Sequence, residues 1–500
     1  MAEATNALAH TAAQAGPTGS AGPTGSREDI LALWIGLLVF LLALASAAGI
    51  DLMGWAVTTA VWVDPAKALA PVSKSYAFLG GAGALVATYL ALLLALTLSA
   101  VSLGIEPRRF AARFTVVFAI AYLSWIAGSY ASLAVTTPAD LKKFGIGWSL
   151  KLTNEGGYIV ALLAGLVIAN ALPRFAGWLQ EAIRPELYIK IAIVILGGFI
   201  AVTAAEKFSL ASSLLLRGIA AIVEAYLIYW AVVYYVARKW FGFSREWAAP
   251  LASGISICGV SAAIATGSAI RARPSVPILV SSLVVIFAVV EVLILPFAAQ
   301  AFLSHEPLVA GAWLGLSVKT DGAAVASGAI ADSLILASAA AEGINYQKGW
   351  ILGTTATVKV FIDVFIGLWA FLLAYIWTNH INVQSADKAK VREIWERFPK
   401  FIIGYLLTFV VVLLLTWGVS PEQVGRIKSA AGQANVFRVI FFVLTFFSIG
   451  VLSNFRKLWQ EGIGKLVAVY ALSLFGFIIW VGLLISWIFF AGVKPPLATT

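Results

Sequence analysis

Cysteine is almost missing from this chain: Cys258 is its only representative. That excludes an internal disulfide framework and any zinc or iron–sulfur site built from cysteines. Histidine is nearly as scarce, and His10, His305 and His380 lie far apart without ligand spacing. Charged residues make up only 12% of the 500, against about 25% in a typical soluble domain. The chain has no GxSxG elbow, no HExxH pair and no GxxxxGK[ST] loop, the motifs of hydrolytic, metalloprotease and nucleotide-driven chemistry. No cofactor, no metal and no enzymatic activity are expected from it.

What is present is apolar surface. Hydrophobic residues reach 61%, with 18 tryptophans. A soluble fold could not cover so much of it, whereas a bilayer accepts aliphatic side chains outside and favours Trp where hydrocarbon meets headgroup. The net charge of +10 sits in short loops between apolar spans. That is the positive-inside pattern of membrane topology and not a nucleic-acid groove. The expected fold class is an all-α polytopic membrane protein.

A crossing needs about 20 mostly apolar residues, and windows of that length predict about thirteen helices. They fall near 29–49, 76–104, 112–136, 156–173, 186–205, 214–237, 248–270, 275–300, 308–340, 349–379, 400–418, 434–453 and 465–491. Residues 1–28 read as a flexible tail carrying AGPTGS twice, a composition too polar and Gly/Pro-rich to order itself. Residues 29–136 form a first block of helices, 156–379 a central transporter region, 380–399 a charged cytoplasmic linker and 400–491 the C-terminal helices. Alternate loops favour a cytoplasmic N-terminus in a bacterial-type inner membrane, with Arg108, Arg109, Arg113, Arg238, Lys239 and Arg245 on one side.

Two segments break the apolar rule. Ser253–Ser268 reads SGISICGVSAAIATGS, alternating glycine with hydroxyls. Glycine opens a helix and exposes main-chain groups that protein, water or a ligand must satisfy at membrane depth. Small residues also let helices pack closely, so ligand binding and packing both remain open from the pattern. Trp313–Ser333 reads WLGLSVKTDGAAVASGAIADS, with Lys319 and Asp321 around Thr320 and before Gly322. Charges there imply either a polar cavity or a loop in headgroup water. Lys359 and Asp363 are four apart on one helical face and can pair. Glu224 and Glu291 are single acids in apolar spans and rank lower as binding residues.

SGISICGVSAAIA at Ser253–Ala265, GAWLGLSVKTDGAAVASG at Gly311–Gly328 and TATVKVFIDVF at Thr355–Phe365 resemble the YeiH-like conserved hypothetical membrane proteins, a family read as sulfate exporters. LLAGLVIAN, IVILGG and FFSIGVLSNFRKL extend the likeness over roughly 156–490. The resemblance implies two inverted repeats with crossed, discontinuous helices, as in cation/proton antiporters and bile-acid symporters. It also implies export of sulfate or an organosulfonate. The family carries His-Asp where this chain has Lys319-Thr320, so substrate or coupling ion is expected to differ.

The resulting expectation is a secondary active transporter of a small anion coupled to H⁺ or Na⁺. Ser256, Cys258, Gly259, Ser261, Lys319 and Thr320 would bind substrate, while Asp321, Lys359 and Asp363 would couple. A cation/proton antiporter and a membrane scaffold or sensor are the alternatives. Its partners would be the bilayer, the anion and the coupling ion, with a homodimer compatible with the added helices and no nucleic acid.

Overall fold

The computed structural model describes residues 23–135, 138–150, 156–206, 217–273, 275–381, 399–454 and 464–498. Its helices are α1 (Pro23–Leu44), α2 (Gly80–Ser102), α3 (Pro107–Gly128), α4 (Gly156–Ala171), α5 (Pro185–Glu206) and α6 (Ala220–Trp240). There follow α7 (Arg245–Ser256), α8 (Gly259–Ala269), α9 (Ser275–Leu303), α10 (Pro307–Ser317) and α11 (Asp321–Ala341). The last are α12 (Trp350–Val364), α13 (Ile366–Ile376), α14 (Phe401–Thr416), α15 (Pro421–Leu452) and α16 (Gly464–Phe490). Local sequence starts several of them. Pro107, Pro307 and Pro421 stand at helix N-termini, where the missing N–H costs nothing. Ser420 and Gln423 form a capping box at α15, satisfying two orphan donors reciprocally.

Among the described residues nine helices are long and apolar enough to cross a membrane, ten if the pair Gly156–Ala171 and Pro173–Ala182, bent by 118°, counts as one. The window at 400–418 becomes the shorter α14 and that at 248–270 becomes two half-length helices. The chain is therefore a multi-pass, all-helical membrane protein apart from one small hairpin. Strands β1 (Val57–Thr59) and β2 (Leu69–Pro71) pair antiparallel in the connection between α1 and α2 and leave the all-α fold class unchanged.

The tail expected to run to residue 28 ends earlier, with helix from Pro23. Its acids are held by α5 and the turn before it: Glu28 pairs with Arg184 at 3.0 Å and Asp29 with Lys190 at 2.8 Å. Residues 1–22 and most of the charged stretch 380–399 lie outside the described residues.

The core is α4, α5, α14 and α15. Gly165 of α4 packs on the α15 backbone at Phe447–Gly450, and Gly450 packs back on Leu162–Leu166. A Cβ on either would overlap main chain, the close approach that small residues permit in membranes. Outward rows such as Leu90, Leu94 and Leu98 on α2, and Trp480, Leu484 and Ile488 on α16, are exposed. Spaced by one helical turn, they present an apolar surface suited to lipid.

Candidate functional site: two opposed helical hairpins

The sequence breaks fall where glycine and hydroxyl residues suggest, but the arms on either side fold back. The Thr266 hydroxyl of α8 donates to Ser253 Oγ of α7 at 2.7 Å. At the base of the pair, Glu246 Oε1 accepts from Arg273 N at 2.7 Å and Nε at 3.1 Å. Arms of 12 and 11 residues span only ~18 and ~16 Å, less than the hydrocarbon core of ~30 Å. Residues 245–273 are thus a re-entrant hairpin that starts and ends on one side, with its tip at Ile257–Cys258.

The second break also folds back, although its second arm, α11, has 21 residues and is among the helices long enough to cross. Thr355 of α12 donates to Gly311 O of α10 at 2.8 Å and packs against Gly328 of α11, so residues 17 apart in the chain meet one side chain. His305 Nδ1, before α10, lies 3.7 Å from Glu342 Oε2, after α11. Asp332 of α11 accepts from Gly349, Ile351 and Leu352 main-chain N–H groups at 3.0, 3.0 and 3.4 Å. The carboxylate thereby clamps α11 to the N-terminus of α12.

Between the hairpins runs α9, 29 residues long and so about 43 Å. One hairpin base adjoins each of its ends, which sets the hairpins to enter from opposite sides. Their tips meet beside Val284 of α9, where Gly259 N donates to Lys319 O at 2.5 Å. A Cβ at Gly259 would strike Val284 and lie 3.1 Å from the Lys319 carbonyl oxygen and from Thr320 Cγ2, so glycine is required by the approach. A hairpin that returns to its own side reverses the loop alternation on which a cytoplasmic N-terminus was inferred between residues 245 and 305, and the second hairpin reverses it again.

One cluster occupies the meeting point. Cys258 Sγ donates to Asp321 Oδ1 at 2.8 Å. Lys359 of α12 donates to Ile257 O at 2.6 Å and lies 3.8 Å from Asp321 Oδ1 and 3.9 Å from Asp363 Oδ1. All are nearly fully buried. The ammonium caps the C-terminus of α7, and Asp321 with Thr320, whose Oγ1 accepts from Ala323 N at 3.2 Å, caps the N-terminus of α11. Donor atoms of Cys258, Asp321 and Asp363 lie within 4.8 Å of one another. Two carboxylates share one ammonium, and such a set is neutral only with one further proton or cation. The Ser256 hydroxyl is buried beside the tip without a hydrogen bond, while Ser261 is half-buried on the first turn of α8.

Lys319 points elsewhere. Its ammonium bonds Leu316 O and stacks over the Tyr229 ring, 4.7 Å from the centroid. Its main-chain N–H donates to Glu291 Oε2 at 3.0 Å, and Tyr470 donates to Glu291 Oε1 at 3.3 Å. Sequence reasoning put Lys319 beside Asp321; the fold gives that position to Lys359. Glu291, ranked low from the sequence as a single acid in an apolar span, thus holds the tip backbone; Tyr229, Tyr226 and Tyr470 were not singled out, because one tyrosine in an apolar span has no pattern of its own. Tyr226 donates to Ile362 O at 2.6 Å, next to Asp363.

A cavity of about 360 Å³ adjoins the long arm of the second hairpin. Asp332, Lys348, Asn435 and Arg438 supply its charged and amide groups, and Thr59 with Tyr122 of the N-terminal block closes one wall.

Comparison with known proteins gives this geometry a family. The family described as conserved hypothetical protein 698 matches residues 114–469. A UPF0324 membrane protein of Nitrosomonas europaea is 41% identical over 94% of this chain and 96% of its own length. The N-terminal block is therefore shared with that relative and is no addition of this chain alone. An uncharacterized protein of Archaeoglobus fulgidus is 48% identical over 29% of this chain and 88% of its own. A UPF0324 membrane protein of Rhodopirellula baltica is 30% identical over 72% of this chain and 59% of its own. No solved structure matches. Profile and full-length relative agree, and the chain belongs to the conserved hypothetical protein 698 family, the UPF0324 membrane proteins.

Proposed function

We propose that this protein is a secondary active transporter of the bacterial-type inner membrane, moving a small anion through the meeting point of the two hairpins. The observation that carries this reading is the tip-to-tip contact of hairpins from opposite sides, holding Cys258, Asp321, Lys359 and Asp363 out of water. Ionisable groups at membrane depth are costly, and they accompany substrate or ion pathways. Opposed hairpins also have the symmetry that alternating access needs, since displacement of either tip opens the site to one side only.

In this mechanism Lys359 attracts the anion as its ammonium leaves Ile257 O, and Ser256 Oγ with the α8 N-terminus offers neutral donors. Asp363 and Asp321, deprived of the ammonium, take up a proton or Na⁺, so substrate and coupling ion enter together or in exchange. The basic side chains Lys348 and Arg438 in the adjoining cavity support an anion as substrate. A sulfate-like or organosulfonate anion is the class the family resemblance suggests.

One observation favours a second reading, cation/proton antiport: the three converging donors of Cys258, Asp321 and Asp363 with acid in excess. The test is flux in proteoliposomes of radiolabelled sulfate and of Na⁺, with and without a pH gradient. Gradient-dependent sulfate flux lost in Lys359→Ala supports anion transport. Na⁺ flux lost in Asp363→Asn and kept in Lys359→Ala supports antiport. No flux of either, with no sulfonate or other ion carried by well-folded protein, leaves a scaffold or sensor.

A further inference from the structure

Outside the tip cluster the membrane core holds a second set of buried charges, and one member makes no well-formed hydrogen bond. Among the described residues Glu224 is the buried acid both of whose carboxylate oxygens lack a hydrogen bond, and the residue is 0% exposed. An ionised carboxylate there would lose its hydration with only the neighbouring Tyr229 hydroxyl within reach as a donor.

The local backbone explains the placement. Residues Glu224–Tyr229 form a π-helical turn within α6, in which residue i aligns with i+5. That sets Tyr229 on the face of Glu224, and the Tyr229 hydroxyl is committed to Ile478 O at 3.0 Å. Above the Tyr229 ring stands the Lys319 ammonium, bonded to Leu316 O and not within ion-pair distance of any carboxylate among the described residues. Glu224 therefore has a cation nearby that is held off by a main-chain carbonyl.

The other ionisable groups around this pair are few. From α9 comes Glu291, joined to the main-chain N–H of Lys319 and to Tyr470 of α16. From α12 come Lys359 and Asp363, engaged with the first hairpin tip and Asp321.

We propose that Glu224 is a proton-binding site separate from the tip cluster, discharged when the Lys319 ammonium swings from Leu316 O to the carboxylate. The balance is simple. The Glu224 acid gives one proton to water, and the carboxylate left behind pairs with the Lys319 ammonium. Because Lys319 is a tip residue of the second hairpin, tip displacement and proton release become one event. Use of that proton for coupling rests on the transport proposal above; proton binding itself does not.

The test is pH-difference infrared spectroscopy of the full chain in lipid, without substrate. Wild type should show the carbonyl stretch of a protonated carboxylic acid that disappears as pH is raised. Glu224→Gln should lose that band, Glu224→Asp should keep it at a shifted frequency, and Asp363→Asn should leave it. In Lys319→Gln the band should persist at pH values where wild type has lost it. A Glu224→Gln spectrum superimposable on wild type overturns the proposal. If that variant does not fold, by its size-exclusion profile, a Lys319→Gln band that titrates as wild type overturns it instead. A wild-type protein that carries no ion yet shows the Glu224 band refutes transport and leaves the proton site standing.

Discussion

Gly259 and Lys319 stand 60 residues apart, and the main-chain N–H of the first donates to the main-chain carbonyl of the second at 2.5 Å. This is the point at which two hairpins from opposite sides touch. Everything proposed for the site depends on that contact being close and breakable.

Substitution at Gly259 tests it. Gly259→Val is expected to push the tip off Val284 and Lys319 and to cost ~1–3 kcal/mol, the usual range for overpacking. Thermal unfolding in detergent should show the loss, and flux should fall to background. Gly259→Val protein as stable and as active as wild type would mean that the tips are not packed in the working protein.

Lys359 supplies the second test. Removing one partner of a buried ionic set costs about 3–5 kcal/mol, because the remaining charge is stranded. Lys359→Met should therefore be strongly destabilised. The double variant Lys359→Met/Asp363→Asn should recover part of the loss, and the readout is the difference between their unfolding free energies. Equal stability of single and double variants would show that Asp363 does not share the Lys359 charge.

The base of the first hairpin makes a pH prediction. Burial acts to raise the Glu246 carboxyl, but hydrogen bonds from the Arg273 main chain and guanidinium outweigh it and hold it below its ordinary value. A depressed carboxyl contributes stability that is complete above the unfolded-state value and is lost as pH falls through the folded-state value. Acidification should thus loosen the hairpin base, by about 1 kcal/mol or less for so accessible a pair. Hydrogen exchange at Arg273 N–H should speed up in acid relative to the intrinsic rate, and in Glu246→Gln that acid dependence should vanish.

Arg438 tests the cavity. Arg438→Gln should raise the concentration of sulfate needed for half-maximal flux several-fold while leaving the maximal rate near wild type. Access would be weakened and the tip site untouched. An unchanged half-saturation value would detach this cavity from the substrate path.

Much of this protein was legible in the chain. The bilayer, both helix breaks and the Lys359–Asp363 pair follow from local rules: apolar windows, glycine beside hydroxyls, and spacing of four on a helix. The hairpin at Ser253–Thr266 was read as one broken span because periodicity records apolar faces and carries no sign of a reversal. The place expected for the Lys319 ammonium beside Asp321 differs for a similar reason. Sequence shows which charges lie near a break but not which carbonyl each will reach.

By itself the sequence determined that the chain enters a membrane, where it must break, and which ionisable groups go in with it. Burial of apolar surface and the satisfaction of main-chain groups in lipid depend on composition along the chain. Only the tertiary structure decided that the arms double back, that Gly259 meets Lys319, and that Lys359 rather than Lys319 sits among Cys258, Asp321 and Asp363. Those outcomes depend on packing between segments about 100 residues apart, as in the Lys359 bond to Ile257 O. A buried ammonium takes the nearest free carbonyl and carboxylate, and what is nearest exists only once the helices are in place.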